Sequence, residues 1–134
     1  MTKQLIVNLP VASLEASRAF FGGLGFEFDP DFSDENGTSM LVNGDAFVLL
    51  LARPFFAGFS PGGVADPAGG AETIVSIGVE SREEVDRMVD AAIAGGATVH
   101  DKGAVDDGSM YSRSFADLDG HLWEILHMDA SATP

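Results

Sequence analysis

One pattern occurs twice in this chain, as Val7-Asn8-Leu9-Pro10-Val11-Ala12-Ser13-Leu14-Glu15 and as Val75-Ser76-Ile77-Gly78-Val79-Glu80-Ser81-Arg82-Glu83. The offset between the copies is constant at 68, from position 7 to position 75. Apolar residues alternate at the start of both copies, which is typical of a half-buried β-strand. Each copy then reaches a serine, Ser13 or Ser81, that suits a helix N-cap, and Glu84 completes a capping box with Ser81. The sequence therefore predicts a repeated strand–helix unit.

Both copies continue with apolar residues at helical spacing, which predicts an amphipathic helix in each half. These residues are Leu14, Phe20, Phe21 and Leu24 in the first half, and Val85, Met88, Val89, Ala92 and Ile93 in the second. Left-handed caps are expected at the glycine pairs Gly22-Gly23 and Gly95-Gly96. Short strands follow at 26–28 and 97–99, and Gly-bearing turns within 42–48 and 118–124 predict hairpins. Each half is thus predicted to be a βαβββ module of an α+β protein.

The two modules are predicted to form a single domain over residues 1–134, with module one at 5–51 and module two at 72–128. Residues 52–71 form the linker between them and are rich in Gly and Pro. Three phenylalanines, Phe55, Phe56 and Phe59, are too apolar for a purely solvated linker. Packing on the domain, covering a cleft and forming a dimer contact all remain open as interpretations.

Composition and charge exclude several classes of function. The chain has 134 residues, 46% of them hydrophobic, no cysteine and a formal net charge of −14. This charge argues against binding to nucleic acid or to anionic membranes, since both need cationic protein surface. The lack of cysteine excludes disulfides and thiol nucleophiles. Without a signal-like N-terminus or an apolar run of about 20 residues, we expect a cytoplasmic location. Solubility explains the charge more simply than a cationic partner does.

Three segments carry a resemblance to a known family. They are Val7-Asn8-Leu9-Pro10-Val11, Ser17-Arg18-Ala19-Phe20-Phe21 and Asp117-Leu118-Asp119-Gly120-His121-Leu122-Trp123-Glu124. With the paired modules, they resemble the vicinal oxygen chelate superfamily of glyoxalases, bleomycin-resistance proteins and extradiol dioxygenases. The resemblance covers nearly the whole chain, from Leu5 to Met128, and looks closest to proteins called predicted lactoylglutathione lyases. It implies an open, cup-shaped β-sheet with helices outside, and a homodimer.

The resemblance also implies where a metal ion would be bound. Catalytic relatives hold a divalent ion with one side chain from each of four strands, and these positions fall at Ile6, at about Val48, at Ile74 and at Glu124. Three are aliphatic, and 46–51 contains no polar side chain. One carboxylate cannot hold a catalytic divalent ion tightly. We therefore expect no cofactor, with a divalent metal ion required only under the alternative function.

Histidines elsewhere offer little replacement for these ligands. His121 and His127 each stand three residues from Glu124, so strand alternation puts them on the opposite face. His100 is expected in a loop. A rebuilt site would need Glu72 or ligands from a second subunit.

Strand alternation predicts that Asn8, Ser76 and Glu124 face the cup, where a few polar groups in an apolar pocket would orient a ligand. Glu124 is also the candidate general acid or base. Two alternatives stay open: Asn8 and Ser76 satisfy nearby backbone groups, or Glu124 pairs with Arg113 or Tyr111. These last two share one strand face and are candidates for binding a ligand carboxylate or ring, although a solvent-facing role is equally common.

The sequence favours a small-molecule-binding protein of this family, or a metal-independent enzyme, with no nucleic-acid or membrane partner. A cationic, drug-like ligand would suit the acidic surface. The alternative is a metal-dependent enzyme of the lactoylglutathione lyase or dioxygenase type.

Overall fold

The computed structural model describes residues 3–129, and the side chains of all of these except 101–103. The chain divides into two compact units, Met1–Asp66 and Pro67–Pro134. Each unit contains one four-stranded sheet and at least one helix. No helix within the described part of the chain is long and apolar enough to span a bilayer.

The first unit follows the order strand, helix, three strands, helix. Its elements are β1 (Leu5–Val11), α1 (Leu14–Gly23), β2 (Glu27–Ser33), β3 (Gly37–Asn43), β4 (Ala46–Ala52) and α2 (Arg53–Ala57). The strand order in the sheet is β1-β4-β3-β2, with β1 parallel to β4 and the other pairs antiparallel. Helix α1 begins at the predicted cap, because the Ser13 hydroxyl accepts a hydrogen bond from the Ala16 amide at 3.1 Å.

The second unit repeats this arrangement. After one turn of 3-10 helix at Pro67–Gly69 come β5 (Ile74–Gly78), α3 (Arg82–Ala94), β6 (Thr98–Asp106), β7 (Met110–Ala116) and β8 (Leu122–Met128). The order in the sheet is β5-β8-β7-β6, and again only the β5–β8 pair is parallel. Ser81 caps α3 through the Glu84 amide at 3.1 Å, as predicted.

Each sheet buries the face that carries its apolar alternation. In the first unit Leu9, Val11, Val48 and Leu50 are buried, as are Phe20, Phe21 and Leu24 of the adjoining helical segment. In the second unit the buried residues are Val85, Met88, Val89 and Ala92 of α3, with Phe115, Trp123 and Ile125 of the sheet. The rings of Phe115 and Trp123 stack at 6.5 Å between centroids. The opposite face of each sheet is called the cup face below; it carries Asn8 and Leu49 in the first unit, and Ser76 and Glu124 in the second.

The predicted α+β fold of two βαβββ modules is confirmed, with three local corrections. The first left-handed cap lies at Gly25 (φ 107°), because α1 continues through Gly23; in the second module it lies at Gly96 (φ 110°), as predicted. The short strand predicted at 97–99 is longer, since β6 extends to Asp106 through a register shift after His100. His100 therefore lies in a strand, and its prediction as a loop residue is wrong.

The segment 52–71 begins with a short helix. Strand β4 ends at Ala52 and α2 follows directly, with Pro54 in its first turn, where its missing amide hydrogen costs nothing. Helix α2 contacts β1 and β4. Of the three interpretations left open for the phenylalanines, packing on the first unit therefore applies to Phe55 and Phe56, which lie in α2.

Candidate functional site

The cup face of the first unit contains an apolar pocket. Its volume is about 560 Å³, and its walls are Asn8, Leu49, Leu51, Phe55, Phe56, Phe59 and Ser60. Asn8 and Leu49 are register partners in the parallel β1–β4 pair, so they stand side by side on the floor of the pocket. Asn8 brings one amide to a mainly apolar surface, which is the usual composition of a small-molecule site.

The aromatic wall of this pocket comes from α2 and the turn after it. Amides of Gly58 and Phe59 bond to carbonyls of Phe55 and Phe56, at 3.1 and 2.9 Å, so the chain stays helical just past Ala57. This turn brings the rings of Phe55 and Phe59 edge to face, with centroids 5.1 Å apart. Phe59 remains 73% exposed. The interpretation that the phenylalanines cover a cleft therefore also applies.

A row of register partners crosses the cup face of the second sheet. From β5 to β6 the row is Ser76, Glu124, Ser114 and His100. The Ser76 hydroxyl donates a hydrogen bond of 2.9 Å to Glu124 Oε1. Nε2 of His100 is shielded from solvent, and nothing in the described part of the chain forms a hydrogen bond with it. The structure thus brings Ser76 and Glu124 together, as predicted, and adds Ser114 and His100, which were missed.

The corresponding row in the first sheet is Asn8, Leu49, Ser39 and Asp29. Leu49 therefore occupies the place that Glu124 has in the second sheet. The family ligand position predicted at about Val48 is off by one residue, because Val48 pairs with Val7 and is buried on the other face. The residue at the corrected position is still aliphatic. Asp29 uses its carboxylate locally, accepting the Asp31 amide at 2.9 Å.

The side chains of Tyr111 and Arg113 lie on the opposite face of the second sheet from Glu124. They pair in register with His127 and Ile125, and they bind carboxylates of α3. The Tyr111 hydroxyl donates to Asp86, while Arg113 Nη1 contacts Asp86 at 3.0 Å and Asp90 at 3.1 Å. The suggested pairing of Glu124 with either residue is therefore wrong. Ligand contact by Tyr111 and Arg113 away from the cup stays a prediction.

These contacts shift the pKa values of the groups involved. The hydrogen bond from Tyr111, together with Arg113, lowers the pKa of Asp86 below its ordinary value. The same hydrogen bond, aided by burial, raises the pKa of Tyr111. Both shifts favour the state in which the tyrosine keeps its proton and the aspartate stays ionised.

The histidine predictions have different outcomes. His127 lies on the face away from Glu124, as predicted, where Nδ1 is 3.1 Å from the carbonyl oxygen of Val79. His100, which was predicted in a loop, lies in β6 on the same face as Glu124. Within residues 3–129, leaving out the side chains of 101–103, no group of three or more His, Asp and Glu side chains is arranged to hold a metal ion.

Comparisons with known proteins agree with this architecture. The family model described as bleomycin resistance protein-like N-terminal matches residues 3–43. A hypothetical protein from S. aureus is similar at a TM-score of 0.78 and 28% identity, with 95% of each chain covered. A glyoxalase/bleomycin resistance protein/dioxygenase family enzyme from Burkholderia phytofirmans PsJN gives 0.76 and 21%, covering 96% of this chain and 100% of its own. A glyoxalase-related enzyme from Fulvimarina pelagi gives 0.74 and 22%, covering 95% and 88%. A sequence search of curated proteins finds no match.

The match to the family model covers residues 3–43, and the three solved structures share the fold of nearly the whole chain. None of the three structures bears the name lactoylglutathione lyase, so that closer assignment stays a prediction. The four ligand positions that the resemblance implies carry Ile6 and Leu49 in the first unit, and Ile74 and Glu124 in the second. Three of these residues have no ligand atom, and one carboxylate alone does not fit a catalytic divalent ion.

Proposed function

We propose that this protein is a member of the glyoxalase/bleomycin-resistance/dioxygenase superfamily that binds a small, mainly apolar molecule in the pocket of the first unit, without a divalent metal ion at the family positions. The pocket lined by Phe55, Phe56, Phe59 and Asn8 is the observation that carries the proposal. Its volume of about 560 Å³ falls in the range of ligand sites, roughly 300–1,000 Å³. The role is either sequestration of the ligand or its conversion without metal.

The pocket's residues define the class of ligand. Rings of Phe55 and Phe59 and the aliphatic Leu49 and Leu51 favour a flat or branched apolar body. The Asn8 amide offers one acceptor and two donors for a single polar group on that body. With a net charge of −14, the protein attracts a neutral or cationic ligand more readily than an anionic one.

The first experiment measures binding of Nile red, a neutral apolar dye, by its fluorescence. Phe59→Ala removes part of the aromatic wall and is expected to weaken binding by at least about fivefold, since burial of a phenylalanine contributes roughly 1.5–3 kcal/mol when complete. The matched control is Phe32→Ala, because Phe32 is 70% exposed, much like Phe59, and does not line the pocket. If both variants weaken dye binding equally, or if neither weakens it, the proposal that the ligand binds in this pocket is contradicted.

The alternative function is a divalent-metal-dependent enzyme of the lactoylglutathione lyase or dioxygenase type. Glu124, at a family ligand position, and the enzyme names of two similar structures favour it. Calorimetric titration of EDTA-treated protein with Zn²⁺, Ni²⁺, Mn²⁺ and Fe²⁺ separates the two functions. An absence of metal binding supports our proposal. Binding of one ion per chain with a submicromolar dissociation constant, lost in Glu124→Ala, supports the metal-dependent enzyme.

We also propose that the protein acts as a cytoplasmic homodimer with no nucleic-acid or membrane partner. Light scattering after gel filtration measures the mass of the protein in solution, which for a dimer is twice the chain mass of 14.0 kDa. A monomer at that mass, at all concentrations up to roughly 100 µM, would contradict it.

A further inference from the structure

The polar row of Ser76, Glu124, Ser114 and His100 runs across all four strands of the second sheet on its cup face. Neighbouring strands lie about 4.8 Å apart, so the backbones of Glu124 and His100 are about 10 Å apart with Ser114 between them. Ser114, the short side chain of the row, therefore lies between the longer side chains of Glu124 and His100.

Two hydrogen-bonding groups in the polar row are not fully used. Ser76 donates to Oε1 of Glu124, and no hydrogen bond to Oε2 occurs within the described part of the chain. Nε2 of His100 is shielded from solvent and likewise has no partner among the described residues. An unsatisfied buried polar group costs about 1–3 kcal/mol, so a bound group that satisfied it would gain affinity.

We propose that the polar row is a binding site for the primary ammonium group of a small molecule, held between Glu124 and His100 above Ser114. An ammonium group has three donors and no acceptor. The Glu124 carboxylate, the Ser114 hydroxyl and Nε2 of a neutral His100 supply three acceptors, one of them charged. Charge-assisted hydrogen bonds of this kind are roughly twice as strong as neutral ones.

The surroundings favour a cation over an anion or a neutral group. Glu124 is the one acidic residue of the polar row, and the chain as a whole carries a formal net charge of −14. The equivalent row of the first sheet has Leu49 in place of the glutamate, and the carboxylate of its Asp29 already accepts a hydrogen bond from the Asp31 amide. Ammonium binding is therefore assigned to the second unit alone. The proposal does not depend on the apolar pocket of the first unit.

The test is an NMR titration of the ¹⁵N-labelled protein at pH 8, where an ordinary imidazole is neutral, with butylammonium as probe. A ligand this small is expected to bind with a dissociation constant of about 1 mM. Butyltrimethylammonium has the same charge and no N–H donor, so it serves as the control ligand. We expect amide shifts at Glu124, Ser114 and His100 with the primary amine, and at least tenfold weaker binding of the quaternary one.

Three variants locate the site. Glu124→Gln removes the charge and His100→Leu removes the second acceptor; each is expected to weaken butylammonium binding by about tenfold. Ser114→Ala is compared with Ser39→Ala, since these serines are 7% and 6% exposed and occupy equivalent places in the two sheets. Weaker binding in Ser114→Ala, and not in Ser39→Ala, is expected.

The proposal is overturned if both amines bind equally, if the shifts map outside the polar row, or if the variants that retain the wild-type fold bind butylammonium as the wild type does. Amide spectra establish that fold before each titration. Should Glu124→Gln not fold, His100→Leu and the serine pair decide the question. Nile red binding, measured on the same samples, reports separately on the first unit.

Discussion

At the scale of single residues, Asp117 shows how one buried carboxylate organises the turn between β7 and β8. Oδ1 accepts the amides of Asp119 and His121 at 2.9 and 3.0 Å, and Oδ2 accepts the indole N–H of Trp123 at 2.9 Å. Burial raises the pKa of Asp117 in spite of these hydrogen bonds, which lower it. The predicted hairpin turn is confirmed, and it is fixed to the core through Trp123.

Asp117→Asn is expected to lower the free energy of unfolding by about 1–3 kcal/mol, because the amide nitrogen would face the indole N–H and leave a buried donor without an acceptor.

The pKa of Asp117 is raised in the folded state, so its protonated form stabilises the fold below the ordinary value of 3.8. This contribution is lost as pH rises through the folded pKa. Urea unfolding from pH 4 to 7 should therefore show the wild type losing part of its advantage over the variant. A constant difference would contradict the raised pKa.

A glycine in the same turn has a conformation that few other residues adopt. Gly120 has φ 85°, and a Cβ placed there would lie 2.9 Å from Cβ of Pro67 and 3.0 Å from its Cγ. Gly108 has nearly the same φ, 87°, but a Cβ there would meet none of the described heavy atoms within 4 Å. The pair separates backbone strain from steric overlap.

Gly108→Ala is expected to lower the free energy of unfolding by about 1–2 kcal/mol through backbone strain alone. Gly120→Ala should lower it further, because the stiff proline ring must also move. Urea denaturation of both variants measures the difference. Equal losses of unfolding free energy in the two variants would mean that Pro67 moves aside without cost and that the steric overlap does not destabilise the fold.

At the scale of elements, α3 is attached to its sheet by polar contacts as well as by its apolar face. Tyr111 and Arg113 of β7 reach Asp86 and Asp90 on the helix, while Val85 and Val89 are fully buried. Asp86 and Asp90 are both more than a third exposed at the side chain, so solvent screens these ion pairs and limits their contribution. The buried apolar residues are therefore expected to contribute more to the attachment of α3 than the ion pairs do.

Tyr111 is the only tyrosine in the chain, so an absorbance titration at alkaline pH reports on it alone. The hydrogen bond to Asp86 raises its pKa above 10, and the Asp86→Asn variant should bring the midpoint back toward 10. Asp90→Asn, which leaves that hydrogen bond in place, is the control and should have a smaller effect. Circular dichroism over the same pH range establishes that the fold persists. Identical midpoints in wild type and Asp86→Asn would contradict the contact.

At the scale of the whole molecule, charge is the dominant property. There are 21 acidic and 7 basic residues, giving the net charge of −14. Such an excess keeps a protein dispersed but opposes the compact state through self-repulsion. Ion pairs such as Arg82–Asp106, with 3.0 Å between Nη1 and Oδ1, offset little of this because both side chains are exposed.

Raising the salt concentration from about 10 to about 500 mM at pH 7 is therefore expected to increase the stability of the protein. Salt shortens the screening length to a few ångströms and weakens the repulsion between carboxylates. Urea unfolding at both salt concentrations gives the change. Near the calculated isoelectric point of 4.2 the effect should be much smaller, since the net charge there is close to zero. A salt effect equal at both pH values would point to ion exclusion instead of charge screening.

The sequence by itself determined the duplicated βαβββ module, the capped helices and the residues of β1, β5 and β8 that share one face of their own sheet. Strand alternation and capping act between residues close in the chain, so a single sequence displays them. It also showed that three of the four positions that the resemblance implies for metal ligands are aliphatic, because that comparison needs only residue identities.

Only the tertiary structure decided which side chains meet. Ser114 and His100 join Glu124 because register across β8, β7 and β6 is set by backbone pairing, and a single-residue shift would reverse the face. Arg113 and Tyr111 turned to α3 because its aspartates lie within reach across the sheet–helix interface. The role of the three phenylalanines depended on the short helix α2, whose packing on β1 and β4 leaves no periodic signal in five residues. These features depend on contacts between segments that are far apart in the sequence. Local sequence patterns do not indicate which of these segments lie close together in space.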